Sequence, residues 1–127
     1  MMLVPEHLKY TAEHEWVESL GENRIRVGIT DYAQDALGDV VFVQLPKVDA
    51  RLTSHALMAE VESTKSVAEV YAPAPGAVSE VNQELSTRPE LVNQEPYGAG
   101  WFCVLTVEDA AALEGLLDAE GYRALTE

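Results

Sequence analysis

An all-β barrel or sandwich with a helical appendage is the fold class that the 127-residue sequence predicts. Three observations predict it: many short apolar alternations, turn signals at close intervals, and one late stretch with helical spacing. At this length a single domain over residues 1–127 is expected, with a β core about 8–107 and a helical segment about 108–125. An apolar share of 47% suits a packed core.

His14 to Glu18 and Arg24 to Thr30 read as a hairpin, because Ile25, Val27 and Ile29 alternate with Arg24, Arg26 and Gly28 while Gly21 and Asn23 supply the turn. Thr30 or Asp31 caps a short helix near 31–37, and Gly38 stops it. Val40 to Leu45, rich in branched and aromatic residues and ended by Pro46, predicts a strand buried on much of its surface. Ala56 to Glu62 and Val67 to Ala72 then flank Ser63-Thr64-Lys65-Ser66 as a tight hairpin. A period of two places Leu57, Ala59 and Val61 on one side of the first strand, with Met58, Glu60 and Glu62 on the other. Pro73, Pro75 and Gly76 break the chain before a strand from Ala77 to Val81, and Asn82 opens a loop holding Leu85, Pro89, Leu91 and Val92. A last strand runs from Trp101 to Val107. Leu113, Leu116 and Leu117 have helical spacing, with Gly121 placed to end that helix.

Charge and composition exclude several functions. A net charge of −14, from eight basic against 22 acidic residues, opposes nucleic acid, whose phosphates bind through Lys and Arg; it favours basic protein partners. No run approaches the roughly 18 apolar residues that span a bilayer. Pro5, Glu6 and His7 interrupt the amino terminus where a signal peptide needs apolar residues, so a cytoplasmic protein is expected. Cys103 is the only cysteine, which precludes an internal disulfide, and its apolar neighbours predict a buried, inert thiol. No glycine-rich phosphate loop is present. His7, His14 and His55 lack metal-ligand spacing, and no serine sits in a nucleophile elbow, so neither a metal nor a catalytic residue is expected.

Lysine remains. Lys9 lies near the terminus and Lys47 in a loop after Pro46, where both read as solvated charges. Lys65 stands between two strands of one hairpin, where a long side chain projects from a stiff support. Acylation requires an amine that can lose its proton, reach an activated carboxyl group and afterwards swing freely, and a hairpin tip satisfies this. Geometry alone favours a solubilising role, since most turn lysines have only that.

The surrounding words are more specific: Tyr10-Thr11 with His14-Glu15-Trp16-Val17; Val27-Gly28-Ile29-Thr30-Asp31-Tyr32-Ala33-Gln34; Leu37-Gly38-Asp39-Val40-Val41-Phe42-Val43-Gln44-Leu45-Pro46; Val61-Glu62-Ser63-Thr64-Lys65-Ser66; Tyr71-Ala72-Pro73; Pro89-Glu90-Leu91-Val92-Asn93; and Pro96-Tyr97-Gly98-Ala99-Gly100-Trp101. From Leu8 to Val107 the chain closely resembles the H proteins of the glycine cleavage system. The resemblance implies a hybrid barrel-sandwich fold of the lipoyl-domain type and lipoate in amide linkage on Lys65. It implies a non-catalytic carrier that takes an aminomethyl group from the glycine decarboxylase (P protein) to the aminomethyltransferase (T protein). The reduced arm then goes to dihydrolipoyl dehydrogenase (L protein), and a separate enzyme attaches the lipoate. In that family the loaded arm folds into a cleft; on that analogy Glu15, at the matching position of the His-Glu-Trp word, and Glu69, four residues after the lysine, are the candidates to hold its ammonium.

Two departures from the family pattern bear on backbone shape. Val48-Asp49-Ala50 replaces the common Val-Gly-Asp, and Ser54-His55 replaces a turn glycine, which predicts a positive φ at His55. Thr64 and Ser66 beside Lys65 argue against a biotinyl site, usually flanked by Met, and against a 2-oxo-acid lipoyl site, usually flanked by Asp and Ala. An accessory H-like protein serving as lipoyl donor to other enzymes is the alternative reading.

Overall fold

The structure, a computed structural model, describes residues 2–126. Among the described residues, nine strands form two sheets. β1 (Lys9–Tyr10), β2 (Glu15–Gly21), β3 (Arg24–Ile29), β5 (Arg51–Leu52), β8 (Gly76–Val81) and β9 (Cys103–Val107) make the larger, in the order β1-β2-β3-β9-β8-β5. β4 (Val40–Gln44), β6 (Leu57–Ser63) and β7 (Val67–Tyr71) make the smaller, in the order β4-β6-β7. Neighbouring strands are antiparallel throughout both sheets.

Between the sheets lies one apolar core built from alternating residues, including Val27, Val43, Val61, Val70, Val78 and Leu105, each at most 3% exposed. A second cluster, Leu8, Tyr10, Trp16, Ala119 and Tyr122, packs the carboxy-terminal segment against β1 and β2. Trp16 needs Gly28 opposite it: a Cβ at Gly28 would lie 2.6 Å from the indole. Cys103 is fully buried, 3.6 Å from the Met58 sulfur, and burial pushes its thiol up to about 12, which makes it inert.

Helix α1 (Asp31–Leu37) begins at Thr30, whose hydroxyl accepts the Ala33 N–H, and ends at Gly38, whose N–H reaches the Gln34 carbonyl. The first hairpin turns through Gly21, Glu22 and Asn23, all at positive φ. His55 and Asp49 also have positive φ, 65° and 73°, so two positions where the family prefers glycine keep the left-handed backbone with another residue.

Several expectations are corrected. β6 carries a bulge between Leu57 and Ala59, which breaks its period of two: Met58 is buried and Leu57 is 49% exposed. β4 bulges between Val40 and Phe42, so Val41 and Phe42 face solvent although the strand was expected to be largely buried. The segment after Asn82 is not irregular: it holds a 3-10 turn, Gln83–Ser86, capped by the Asn82 side chain, and helix α2 (Leu91–Gln94). β9 starts at Cys103 rather than Trp101. The leucine-spaced tail is a 3-10 turn, Ala110–Leu113, followed by α3 (Ala119–Thr126); Gly121 lies inside α3 and does not end it. Leu117 instead extends the sheet by exchanging two 2.8 Å backbone hydrogen bonds with Tyr10.

Candidate functional site

The β6–β7 hairpin closes through the Ser63 side chain. Its hydroxyl oxygen accepts the N–H groups of Lys65 (3.2 Å) and Ser66 (3.1 Å), while the Ser63 N–H donates to the Ser66 carbonyl (2.8 Å). The tip is braced from outside, because the Thr64 N–H donates to the Asp39 carbonyl at 3.0 Å. Residues 38–40 are held in turn by Asn93 of α2: its amide nitrogen donates to the Gly38 carbonyl and to Gln34 Oε1, and its Oδ1 accepts the Val40 N–H. Lys65 is thus exposed on a fixed mount, and among the described residues its amine has no ion-pair partner. Lys9 and Lys47 are also exposed and, among the described residues, unpaired; the braced tip distinguishes Lys65.

Gly38 also makes room for the Lys65 stem: it has φ +84°, and a Cβ there would sit 3.1 Å from Lys65 Cε. Gly38→Ala is therefore expected to lose about 1–3 kcal/mol in a urea titration, from strained backbone and the displaced stem.

Beside the tip, a cleft of about 310 Å³ is lined by Ile29, Ala33, Ala36 and Leu37 on the α1 side and by Ser66, Ala68 and Val70 on the β7 side, with Glu13, His14, Glu15 and Glu69 supplying polar groups. Its lining is largely apolar, and it begins one residue from Lys65. The structure brings both sequence candidates here. Glu15 is 1% exposed; Thr11 Oγ1 donates to its Oε1 (2.6 Å) and the Tyr71 N–H donates to its Oε2 (3.1 Å). Burial outweighs these two donors and pushes the carboxyl up to about 7. Glu69 is exposed at the rim and accepts from the Tyr71 hydroxyl at 3.2 Å.

Thr11 organises the turn that presents Glu15: its Oγ1 accepts the N–H groups of Glu13 and Glu15, and its carbonyl accepts the N–H of His14, which has φ 73°. Glu13 and His14 were not singled out by the sequence reading, nor were the small α1 residues. Ala33, Ala36 and Leu37 stand at helical spacing on one face, which is a signal that the sequence does contain.

Because Glu15 holds a proton in the folded chain where the unfolded chain has released it, its contribution falls as pH rises from about 4.5 to about 7. Glu15→Gln in the unmodified chain is expected to flatten that part of the stability profile by at most about 3 kcal/mol, read from urea midpoints across the pH range.

Two packed sheets, the smaller of which carries the lysine-tipped β6–β7 hairpin, define a hybrid barrel-sandwich domain. The model of the glycine cleavage H-protein family matches residues 8–127. The chain is 60% identical to the glycine cleavage system H protein of Mycobacterium avium, with 98% of each covered, and 55% identical to that of Micrococcus luteus, with 99% of each covered. It also superposes on the crystal structure of a glycine cleavage system H protein from Mycobacterium marinum with a TM-score of 0.89, at 39% identity, over 97% of this chain and 98% of that one. The chain belongs to the glycine cleavage H-protein family. No helix among the described residues is long and apolar enough to cross a membrane.

Proposed function

We propose that this chain is the lipoyl-bearing carrier of a cytoplasmic glycine cleavage system, a single domain without catalysis of its own, with lipoate attached to Lys65. One juxtaposition carries the reading: an exposed lysine on a braced hairpin tip, adjoining an apolar cleft with a buried carboxyl. These residues fit the group, since the amine is free for acylation and the cleft offers apolar walls to a hydrocarbon arm. When attached, the lipoyl group would supply a disulfide that opens to accept an aminomethyl group, leaving after transfer a dithiol for reoxidation.

The chain's own contribution is to hold and to shield. An ammonium is stable as a leaving-group neighbour only while protonated, because the free amine has the lone pair that expels a thiolate. Glu15, with Glu69 at the rim, holds such an ammonium by charge-assisted hydrogen bonding, and the apolar walls exclude water. Partners that use the arm in turn are the P, T and L proteins, with a separate lipoate-attaching enzyme acting first. A tether on one compact carrier gives the arm a high effective concentration at each docked site.

The test is reconstitution with purified P protein. Glycine-dependent release of carbon dioxide that requires the lipoylated chain is expected. Absence of that activity with Lys65 fully lipoylated would replace the reading with that of a lipoyl donor to other enzymes.

A further inference from the structure

We propose that Tyr122, on the carboxy-terminal helix and outside the cleft, is a positioning residue that fixes the cleft's geometry by tying its base to its helical wall; the proposal rests on the cleft being the resting place of the arm. Tyr122 is fully buried, and its hydroxyl lies 2.7 Å from His14 Nδ1 and 2.7 Å from Thr30 Oγ1. His14 lines the cleft one residue before Glu15; Thr30 is the cap of α1, which forms the opposite side.

The three groups can be satisfied together. Thr30 Oγ1 accepts the Ala33 N–H, and with the His14 ring neutral and unprotonated at Nδ1, Tyr122 donates to that nitrogen and accepts the Thr30 hydroxyl proton. Burial lowers the basicity of His14, which suits a neutral ring accepting at that nitrogen.

The arrangement also accounts for a strained residue. His14 holds φ 73°, a conformation that a side chain adopts at a cost, and it is secured on every side: its ring stacks on Tyr32 of α1 at 4.7 Å and meets the Tyr122 ring edge-on at 5.7 Å, while its carbonyl accepts the Thr30 N–H. Tyr122 is itself anchored by stacking on Tyr10 at 4.7 Å. The carboxy-terminal segment contributes no residue to the cleft lining, yet its one buried hydroxyl contacts both sides of it.

Tyr122→Phe keeps the stacked ring and removes both bonds. In the unmodified variant the His14 ring nitrogen shifts in 15N NMR are expected to move, and the α1 amides of Ala33 and Gln34 to exchange several-fold faster. In the lipoylated, aminomethyl-loaded variant, ammonia release without partner enzymes is expected to rise about tenfold. Val78→Ala, in the main core away from the cleft, serves as the control for simple destabilisation: it lowers the melting temperature but leaves release and His14 shifts unchanged. Should Tyr122→Phe fail to fold, His14→Asn, which tolerates the same left-handed backbone, breaks the link from its other end and is expected to raise release similarly. Unchanged His14 shifts and release in the variant, or an equal rise with Val78→Ala, would overturn the proposal. A wild-type chain that releases ammonia as fast as a free lipoamide adduct would instead overturn the cleft reading on which it rests.

Discussion

Replacing Lys65 with arginine is expected to abolish lipoate attachment and carrier activity completely while leaving the fold intact. A guanidinium cannot form the amide under these conditions, since it stays protonated and offers no comparable nucleophile. The substitution touches nothing buried: Lys65 is exposed, its stem passes over Gly38, and a surface change of this kind moves stability by about 0.5 kcal/mol or less. The informative result is therefore the pairing of an unchanged thermal transition with total loss of glycine-dependent reduction of the arm. Lys9 in β1 and Lys47 after β4 remain in the variant but lack the braced tip, so neither is expected to substitute. Residual activity would mean that another residue is the anchor.

Trp16→Ala is expected to have the largest effect on stability. Trp16 is fully buried in the second cluster, packed against Gly28, and its indole N–H donates to the Pro96 carbonyl at 2.8 Å. Truncating a buried aromatic of this size costs about 3–5 kcal/mol, and the orphaned Pro96 carbonyl adds about 1 kcal/mol or more. Against a total of about 5–15 kcal/mol for a domain, that leaves a marginal fold. Urea titration is the direct measurement. Because Trp16 adjoins Glu15 and packs in the cluster that docks α3, amide exchange in α3 is expected to accelerate before exchange in the main core; uniform acceleration would show that the two clusters are energetically one.

What the sequence reveals depends on how local the determining interactions are. The first hairpin and α1 were readable because their signals are local: Gly21 and Asn23 at the turn, the Thr30 cap, and Gly38 as the stop. The face of β4 and the first two residues of β6 depart from the expected alternation because a bulge shifts it, and a bulge is set by pairing with a distant strand; from Ala59 onward β6 alternates as expected. Gly121 was misread as a helix end: Asp118 Oδ1 accepts its N–H and starts α3 there instead, so the glycine falls in the first turn. At the site, Lys65 and Glu15 stand within the quoted family words, and Glu69 was a candidate from its place four residues after the lysine. His14, Glu13 and Tyr122 were not, since the link from His14 to Tyr122 joins residues 108 positions apart and leaves no local pattern.

The smaller sheet carries an exposed row, to which the β4 bulge adds Phe42. Phe42, Glu62 and Val67 are paired in register across β4, β6 and β7, close below the tip, and all face solvent. A net charge of −14 favours encounters with basic surfaces, and salt is expected to weaken such encounters.

The most direct measurement is a peptide mass spectrum of the chain after incubation with lipoate, ATP and a lipoate-attaching enzyme. A lipoyl mass on the peptide containing Lys65 and resistance of the Lys65–Ser66 bond to trypsin are expected, with Lys9 and Lys47 unmodified. A lipoyl mass on either of those lysines, or free cleavage after Lys65 in a chain that carries the label, would contradict it.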